Sequence, residues 1–381
     1  MKVLPGTPGV TPMFKPCREA PPWRPVYCLL KTKEVVLMKK AILLFVGILL
    51  IGLIVRFADT NEILRHLENI SLGQIIFLCA LQLITIFLNS VQLFTLANLF
   101  DLPVALRKIF TVYMSGTFVE SVTPSVKAGG EATKIYLLTK ELDIPLGESS
   151  ALVALQKTIS FLAFLSINVF TMTWFILRLG AEVDQSRLLM GTFGLLLLIF
   201  VGILSLIFWP KKEYGFLEKL PLNEKRRDKL VGALINFEKN FRKILARKKA
   251  MVFQFLLALF IWSFFALKAY LVVVFLGISL SFIEIAVVTY LTYMVGMLPL
   301  LPGGLGSFEG SMVFFVAPLG VGVSSGITLA IVLRFVTFWF VFLVSALYLL
   351  GKVLLEGKPF HGIMNLDSLY KRRKNPGKDK R

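Results

Sequence analysis

The chain has 381 residues, 56% of them hydrophobic and 17% charged, with a formal net charge of +19. A soluble domain usually carries about 45–50% apolar and about 25% charged residues, and an apolar excess of this size has nowhere to hide in one water-soluble core. That rules out an ordinary cytosolic enzyme, and basic charge scattered among 34 phenylalanines argues against a nucleic-acid binder.

The charge is unevenly placed. Residues 1–37 contribute +4, Lys39 and Lys40 +2, residues 210–249 +8 and residues 351–381 +6, while everything else nets to −1. Basicity is therefore confined to the flanks and one loop, and the near-neutral remainder holds the apolar runs.

In chain order, residues 1–37 come first, with seven of the 17 prolines and no apolar run, a composition that cannot pack and reads as disordered. Met38-Lys39-Lys40 followed by the apolar Ala41–Val55 is a good start for a membrane protein. We expect Met38 to be the natural initiator, a genuine cytoplasmic tail being the alternative. Further runs lie at about Leu72–Leu99, Ala151–Leu177, Leu188–Trp209, Met251–Gly277 and Ile327–Leu350, each long enough, or nearly so, to cross about 30 Å of hydrocarbon. The expected fold is an all-α polytopic membrane protein in three parts: 1–37, a transmembrane domain over 38–350 with a cytoplasmic loop at 210–249, and a basic tail over 351–381.

Positive-inside bias places the Lys39/Lys40 flank, the +8 loop and the +6 tail, and hence both termini, in the cytoplasm of a multi-pass cell-membrane protein. Parity then requires residues 109–142 and 283–322 each to enter and leave on one side. Both stretches have two short apolar arms around a Pro/Gly-rich break that ends in an acid. The first break reads Pro124-Ser-Val-Lys127-Ala-Gly129-Gly130-Glu131; the second reads Pro302-Gly303-Gly304-Leu-Gly306-Ser-Phe-Glu309. An arm of a dozen residues spans only about 18 Å, so we expect two re-entrant pairs beside about six full spans, with eight full spans as the alternative. A long helix, a broken segment and another long helix occur over 72–177 and again over 250–350, a candidate inverted repeat.

These residues resemble a known family. Pro124–Leu138, with its P-x-x-x-G-G-E segment, the later L-P-G-G-L-G-x-x-E segment Leu301–Glu309 and the R-x-x-T-F-W helix Arg334–Trp339 look like the lysylphosphatidylglycerol synthase membrane domain, also called the flippase-like domain. The likeness runs from about Met38 to Gly351. Where the family commonly shows an E-R pair after the first motif, this chain has Gln156-Lys157, which puts an internal ion pair there in doubt. The resemblance implies a lipid translocase related to the membrane part of bacterial multiple peptide resistance factors. Only about 31 residues follow the last apolar helix, so synthase activity is not expected, and stand-alone members have no settled substrate.

Candidate lipid- or anion-binding residues are Lys127, Gly129, Gly130, Glu131, Lys134, Lys157, Gly303, Gly304, Glu309 and Arg334. Gly-rich breaks that open helices offer unpaired N–H groups and a positive dipole end to an anionic head group, and basic residues inside apolar helices are costly unless used. Each has a plainer alternative: Arg334 snorkelling to the outer interface, Glu131 and Glu309 serving as helix N-terminal acids. Lys268 is expected to pair with Glu284, and the Phe-rich faces Phe161/Phe164 and Phe335/Phe338 to pack or face lipid. The 210–249 loop is expected to lie as an amphipathic segment on anionic lipid.

Cys17, Cys28, Cys79, His66 and His361 form no metal-ligand spacing, no phosphate loop occurs, and no cofactor or catalytic set is expected. The leading function is translocation of an anionic lipid, of phospholipid or polyprenyl-phosphate type, between leaflets. Alternatives are an ion or small-molecule transporter, or a non-catalytic membrane subunit of a separate transferase. Membrane lipids are the expected partners, nucleic acid is not, and oligomers are compatible with this reading.

Overall fold

The computed structural model describes residues 60–102, 104–123, 128–179, 184–208, 224–297 and 306–356. The expected disordered segment 1–37, the first expected span Ala41–Val55, Lys127, Gly303, Gly304 and the tail from residue 357 lie outside these residues. Among the described residues there are helices and no strand. They are α1 (Thr60–Glu68), α2 (Leu72–Leu99), α3 (Leu106–Val122), α4 (Ala128–Lys140), α5 (Leu146–Leu179), α6 (Asp184–Phe208), α7 (Glu224–Leu245), α8 (Lys248–Phe275), α9 (Phe282–Gly296), α10 (Ser307–Val316), α11 (Val323–Arg334) and α12 (Phe340–Glu356). A π-helical turn, Phe335–Trp339, joins α11 to α12.

Four helical stretches among the described residues are long and apolar enough to cross a membrane: Leu72–Leu99, Leu146–Arg178, Lys248–Phe275 and Val323–Leu355. The expected span Leu188–Trp209 falls in α6, whose apolar stretch Met190–Gly202 is shorter. Helix starts are written locally. Ser71 opens α2 and Ser281 opens α9 with reciprocal capping boxes, in which Ser71 Oγ accepts from the Gln74 N–H at 3.3 Å and Glu284 Oε2 accepts from the Ser281 N–H at 2.8 Å. Hydrogen bonds from the Ser281 backbone and hydroxyl hold the Glu284 carboxyl below the usual carboxylate range.

Between the long helices lie two short antiparallel pairs. At about 1.5 Å per residue, the 17 residues of α3 and 13 of α4 reach about 26 and 20 Å, and the 15 of α9 and 10 of α10 about 22 and 15 Å. None matches about 30 Å of hydrocarbon, which favours the re-entrant form over eight full spans. Numbering runs oppositely along the two arms of each pair. A Cβ on Gly129 would meet Thr123, and one on Gly130 would lie 2.6 Å from the Gly116 carbonyl oxygen. In the second pair Tyr293 rings against Phe308 at 5.2 Å, and Thr292 donates to Met312 Sδ at 3.9 Å.

Cross-contacts set the sides. Asp101, in the turn after α2, pairs with Lys243 and Arg247, both at 3.7 Å, just ahead of α8. The start of α3 therefore shares a first face with the start of α8. Helix α8 is 28 residues long, about 42 Å, so α9 begins at the opposite face. His66 of α1 lies 3.4 Å from Ser325 at the start of α11 on that second face, and Arg178, ending α5, is close enough to Glu284 to stabilise its charge. The two hairpins thus enter from opposite faces. Packing repeats with them: α5 lies against α9 as α12 lies against α3, and α2 meets α5 as α8 meets α11. This is an inverted repeat.

The 210–249 loop is described only from Glu224 onward. There α7 is amphipathic and packs on α5, with Phe241 and Ile244 buried, Phe237 packed against the core, and Glu238 and Arg242 paired at 2.9 Å. Phe164 is fully buried against Trp262, whereas Phe335 is exposed.

Gly130→Leu is expected to force α3 and α4 apart and to cost about 1–3 kcal/mol, the usual penalty for overpacking. Gly191→Leu, where a Cβ meets nothing within 4 Å, serves as control. Thermal unfolding of the purified protein in detergent checks the difference.

Candidate functional site

The first break puts Glu131 in the first turn of α4, and two cations converge on it. Lys134 Nζ lies 3.3 Å from Glu131 Oε2, and Lys157 Nζ, from α5, lies 3.2 Å from Oε1. Lys134 is 5% exposed and its ammonium sits 4.8 Å from the centroid of the Tyr113 ring. Its stem runs along Gly116, where a Cβ would lie 2.7 Å from Lys134 Cγ. Lys157 is the open member, its side chain 47% exposed.

The second break is built alike. Gly306 caps α10 with φ 79, a left-handed conformation that suits glycine, and its N–H donates to Glu309 Oε2 at 2.7 Å. Glu309 Oε1 accepts from Arg334 Nε at 2.9 Å, and the guanidinium lies 4.9 and 5.3 Å from the Phe308 and Phe338 ring centroids. Arg334 therefore points into the protein and does not snorkel outward. Its helix begins at Val323, four residues before the expected Ile327, so Arg334 is deeper than the sequence suggests. The π-helical turn follows at once, a departure from α geometry that recurs at functional sites.

The two pairs are equivalent. Glu131 and Lys157 are 26 positions apart, Glu309 and Arg334 are 25. Each cation follows the first residue of its long helix, Leu146 or Val323, by eleven residues, or about 16 Å of rise. Entered from opposite faces, both come to similar depth. Between them lies an aromatic cluster: Phe308 against Tyr293, Tyr293 against Trp262 at 6.2 Å, and Trp262 Nε1 donating to the Ser160 carbonyl at 3.1 Å, one turn from Lys157.

Three expectations change. The glycines are expected to let a phosphate approach backbone N–H groups; at Gly129 and Gly130 the side that a Cβ would occupy is filled by close packing of α4 on α3. In α10 the Gly306 N–H is already engaged by the Glu309 carboxylate. The doubted internal ion pair exists, because the acid missing at Gln156 is supplied by Glu131 from α4. Finally, Lys268 does not pair with Glu284. Its Nζ donates to Gln82 Oε1 and, at 3.2 Å, to Thr85 Oγ1, while Glu284 caps α9.

Reading for charge and glycine missed a polar seam. Gln82, Thr85, Asn89, Gln92 and Thr95 recur at spacings of three and four along α2, one helical face inside an otherwise apolar span, and that periodicity was the available signal. Gln156 and Gln254 join it, with Gln156 Nε2 donating to the Asn89 carbonyl at 2.9 Å and Gln254 Nε2 to Thr95 Oγ1 at 2.8 Å.

Burial ranks the two ion pairs. Arg334 and Glu309 side chains are 12% and 13% exposed, so Glu309→Gln removes a buried carboxylate that faces a buried guanidinium and is expected to cost about 3–5 kcal/mol, partly restored by adding Arg334→Met. Lys157→Ala leaves Glu131 paired with Lys134 and is expected to cost less than Glu309→Gln. Thermal unfolding of the three variants in detergent checks the order.

The chain is similar to known membrane proteins. A UPF0104 membrane protein of Methanothermobacter thermautotrophicus is 24% identical over 316 residues, covering 80% of this chain and 92% of its own length. Similar proteins of Pyrococcus horikoshii and Methanocaldococcus jannaschii, also UPF0104 membrane proteins, are each 23% identical and cover 79% and 78% of this chain and 94% and 90% of theirs. The family described as the lysylphosphatidylglycerol synthase TM region matches residues 41–345, which takes in both breaks, both ion pairs and the seam between them. The chain belongs to the lysylphosphatidylglycerol synthase TM-region family.

Proposed function

We propose that the protein carries an anionic lipid, of phospholipid or polyprenyl-phosphate type, between the leaflets of the cell membrane, with the face of Asp101 and Arg247 in the cytoplasm. The observation behind this reading is the pair of acid–base clusters held at matched depth on hairpins that enter from opposite faces. A charge in the hydrocarbon region costs about 2.5–3.5 kcal/mol or more, so cations kept there on a transporter-like repeat mark the path of a charged group.

The chemistry is ligand exchange without bond making. A head-group phosphate arriving from the first face competes with Glu131 for Lys157, the exposed partner. One arriving from the second face competes with Glu309 for Arg334, whose planar fork suits phosphate oxygens. While the phosphate is absent, Glu309 neutralises Arg334 and Glu131 offsets one of the two charges of Lys134 and Lys157, which lowers the cost of holding them at depth. The acyl or prenyl tails remain in the bilayer throughout. On this reading the protein is a carrier and not an enzyme, and its first partners are membrane lipids.

Reconstitution into vesicles containing head-group-labelled phosphatidylglycerol tests this, with a parallel set containing labelled polyprenyl phosphate. Movement between leaflets is expected to exceed that of protein-free vesicles and to fall at least about tenfold in Arg334→Ala, the loss of one charge-assisted phosphate contact of about 1.5–3 kcal/mol. Arg334→Lys is expected to retain part of it. Movement of neither lipid, with restored activity of a separately encoded transferase when the protein is supplied to it, would favour the subunit role instead.

A further inference from the structure

Lys268 is a second charge-bearing site that the carrier cycle above does not use. It lies on the crossing helix α8 and is 0% exposed. Its hydrogen-bond partners, Gln82 and Thr85, are neutral, and the Phe265 ring centroid is 4.5 Å from Nζ.

The charged and titratable groups on the elements around it are engaged elsewhere. On α9, Glu284 is bound by Ser281, Tyr290 donates to the Trp262 carbonyl at 2.9 Å, and Tyr293 donates to Thr337 at 3.2 Å. Arg334 of α11 is held by Glu309, and Lys157 of α5 by Glu131; Arg178 of α5 is at the second face beside Glu284. On α7, Glu238 and Arg242 pair with each other. Cys79 of α2 is one turn from Gln82, and Tyr270 of α8 itself rings against Phe282 at 5.5 Å. Among the described residues no carboxylate pairs with Lys268, and a buried ammonium facing only neutral partners is costly. Losing its proton removes that cost, and the amine left behind still donates to Gln82 or Thr85.

Polar side chains line the seam toward it: Asn89 Nδ2 donates to the Thr85 backbone carbonyl at 2.8 Å, Gln156 Nε2 to the Asn89 backbone carbonyl and to Gln92 Oε1, and Gln92 Nε2 to the backbone carbonyl of Gln254, which lies six residues from the start of α8 at the first face. Gln254 Oε1 is buried and has no hydrogen-bond partner, an acceptor placed to take a water molecule. On its other side Lys268 connects by ring contacts, Phe265 to Tyr293 at 5.2 Å and Tyr293 to Phe308 at 5.2 Å, to the Arg334 cluster.

We propose that Lys268 is a reversible proton-binding site, filled from the first face along the α2–α8 seam, whose charge biases the Glu309–Arg334 cluster and so couples lipid movement to a proton gradient. In the step itself an Nζ–H bond breaks heterolytically, the electron pair stays on nitrogen, and the proton passes to water; reprotonation is the reverse. The proton-binding half stands alone, while the coupling half rests on the lipid-carrier reading.

Two measurements separate these halves. In a pH jump on the detergent-solubilised protein, followed with an indicator dye, the wild type is expected to exchange one proton per chain more than Lys268→Met. Lys268→Arg, which keeps a fixed charge and the hydrogen bonds, is expected to match Lys268→Met, so a folding defect in one variant does not decide the result. Equal proton counts in wild type and both variants overturn the proton site. In vesicles with labelled phosphatidylglycerol, an imposed pH gradient is expected to change the wild-type rate severalfold and to leave Lys268→Met at its gradient-free rate. A gradient-independent wild type overturns the coupling and leaves the carrier reading intact. An extra proton in the wild type with no lipid movement at all overturns the carrier reading and the coupling, and leaves the proton site standing.

Discussion

Hydrocarbon offers backbone and charge no hydrogen-bond partner, and this constraint governs how the chain can hold α4 and α10. Helices of 13 and 10 residues end inside the membrane's thickness, where their breaks and acids must be enclosed by protein or by a wet cavity. The enclosure is reciprocal. Helix α12 covers the first arm of the first hairpin, α5 covers the first arm of the second, and α2 packs on α8 between them. Neither hairpin is tolerable without the other half of the chain.

The same constraint explains why each acid brings a cation. Glu131 and Glu309 sit at the ends of breaks where a lone carboxylate would be expensive, and each is met by a basic residue eleven positions into the neighbouring long helix. The two clusters are not equal in character. Arg334 is enclosed by Phe308 and Phe338, whereas Lys157 is about half exposed while its companion Lys134 is buried over Tyr113. One cluster is therefore closed and the other open.

Much of this was legible in the sequence because hydropathy and charge obey simple length rules. The long helices, the two broken segments and the confinement of basic residues to loops follow from run length, glycine and proline, and the repeat of that order. Partnerships were harder to read. Pairing of Lys157 with Glu131 joins α5 to α4 across 26 positions, and no local pattern announces it; the loss of the usual acid at Gln156 pointed the other way. Nearness in sequence points Lys268 to Glu284, whereas the side chain turns toward Gln82 and Thr85 on a helix 186 and 183 positions away. Glycines 129 and 130 were read as room for a ligand, but in three dimensions that room is filled by Gly116, Glu120 and Thr123. Helix geometry is local in sequence, and the identity of the group across the interface is not.

Both hairpins stop at mid-depth and enter from opposite faces. Labelling of single cysteines with a membrane-impermeant thiol reagent, in a background lacking Cys17, Cys28 and Cys79, tests it most directly. Asn69→Cys, beside α1, marks the second face, and Thr123→Cys marks the tip of the first hairpin. Reagent confined to the second face is expected to label Asn69→Cys and to leave Thr123→Cys unmodified. Labelling of Thr123→Cys from that face as fast as Asn69→Cys would mean that α3 crosses completely, and would contradict the paired re-entrant design.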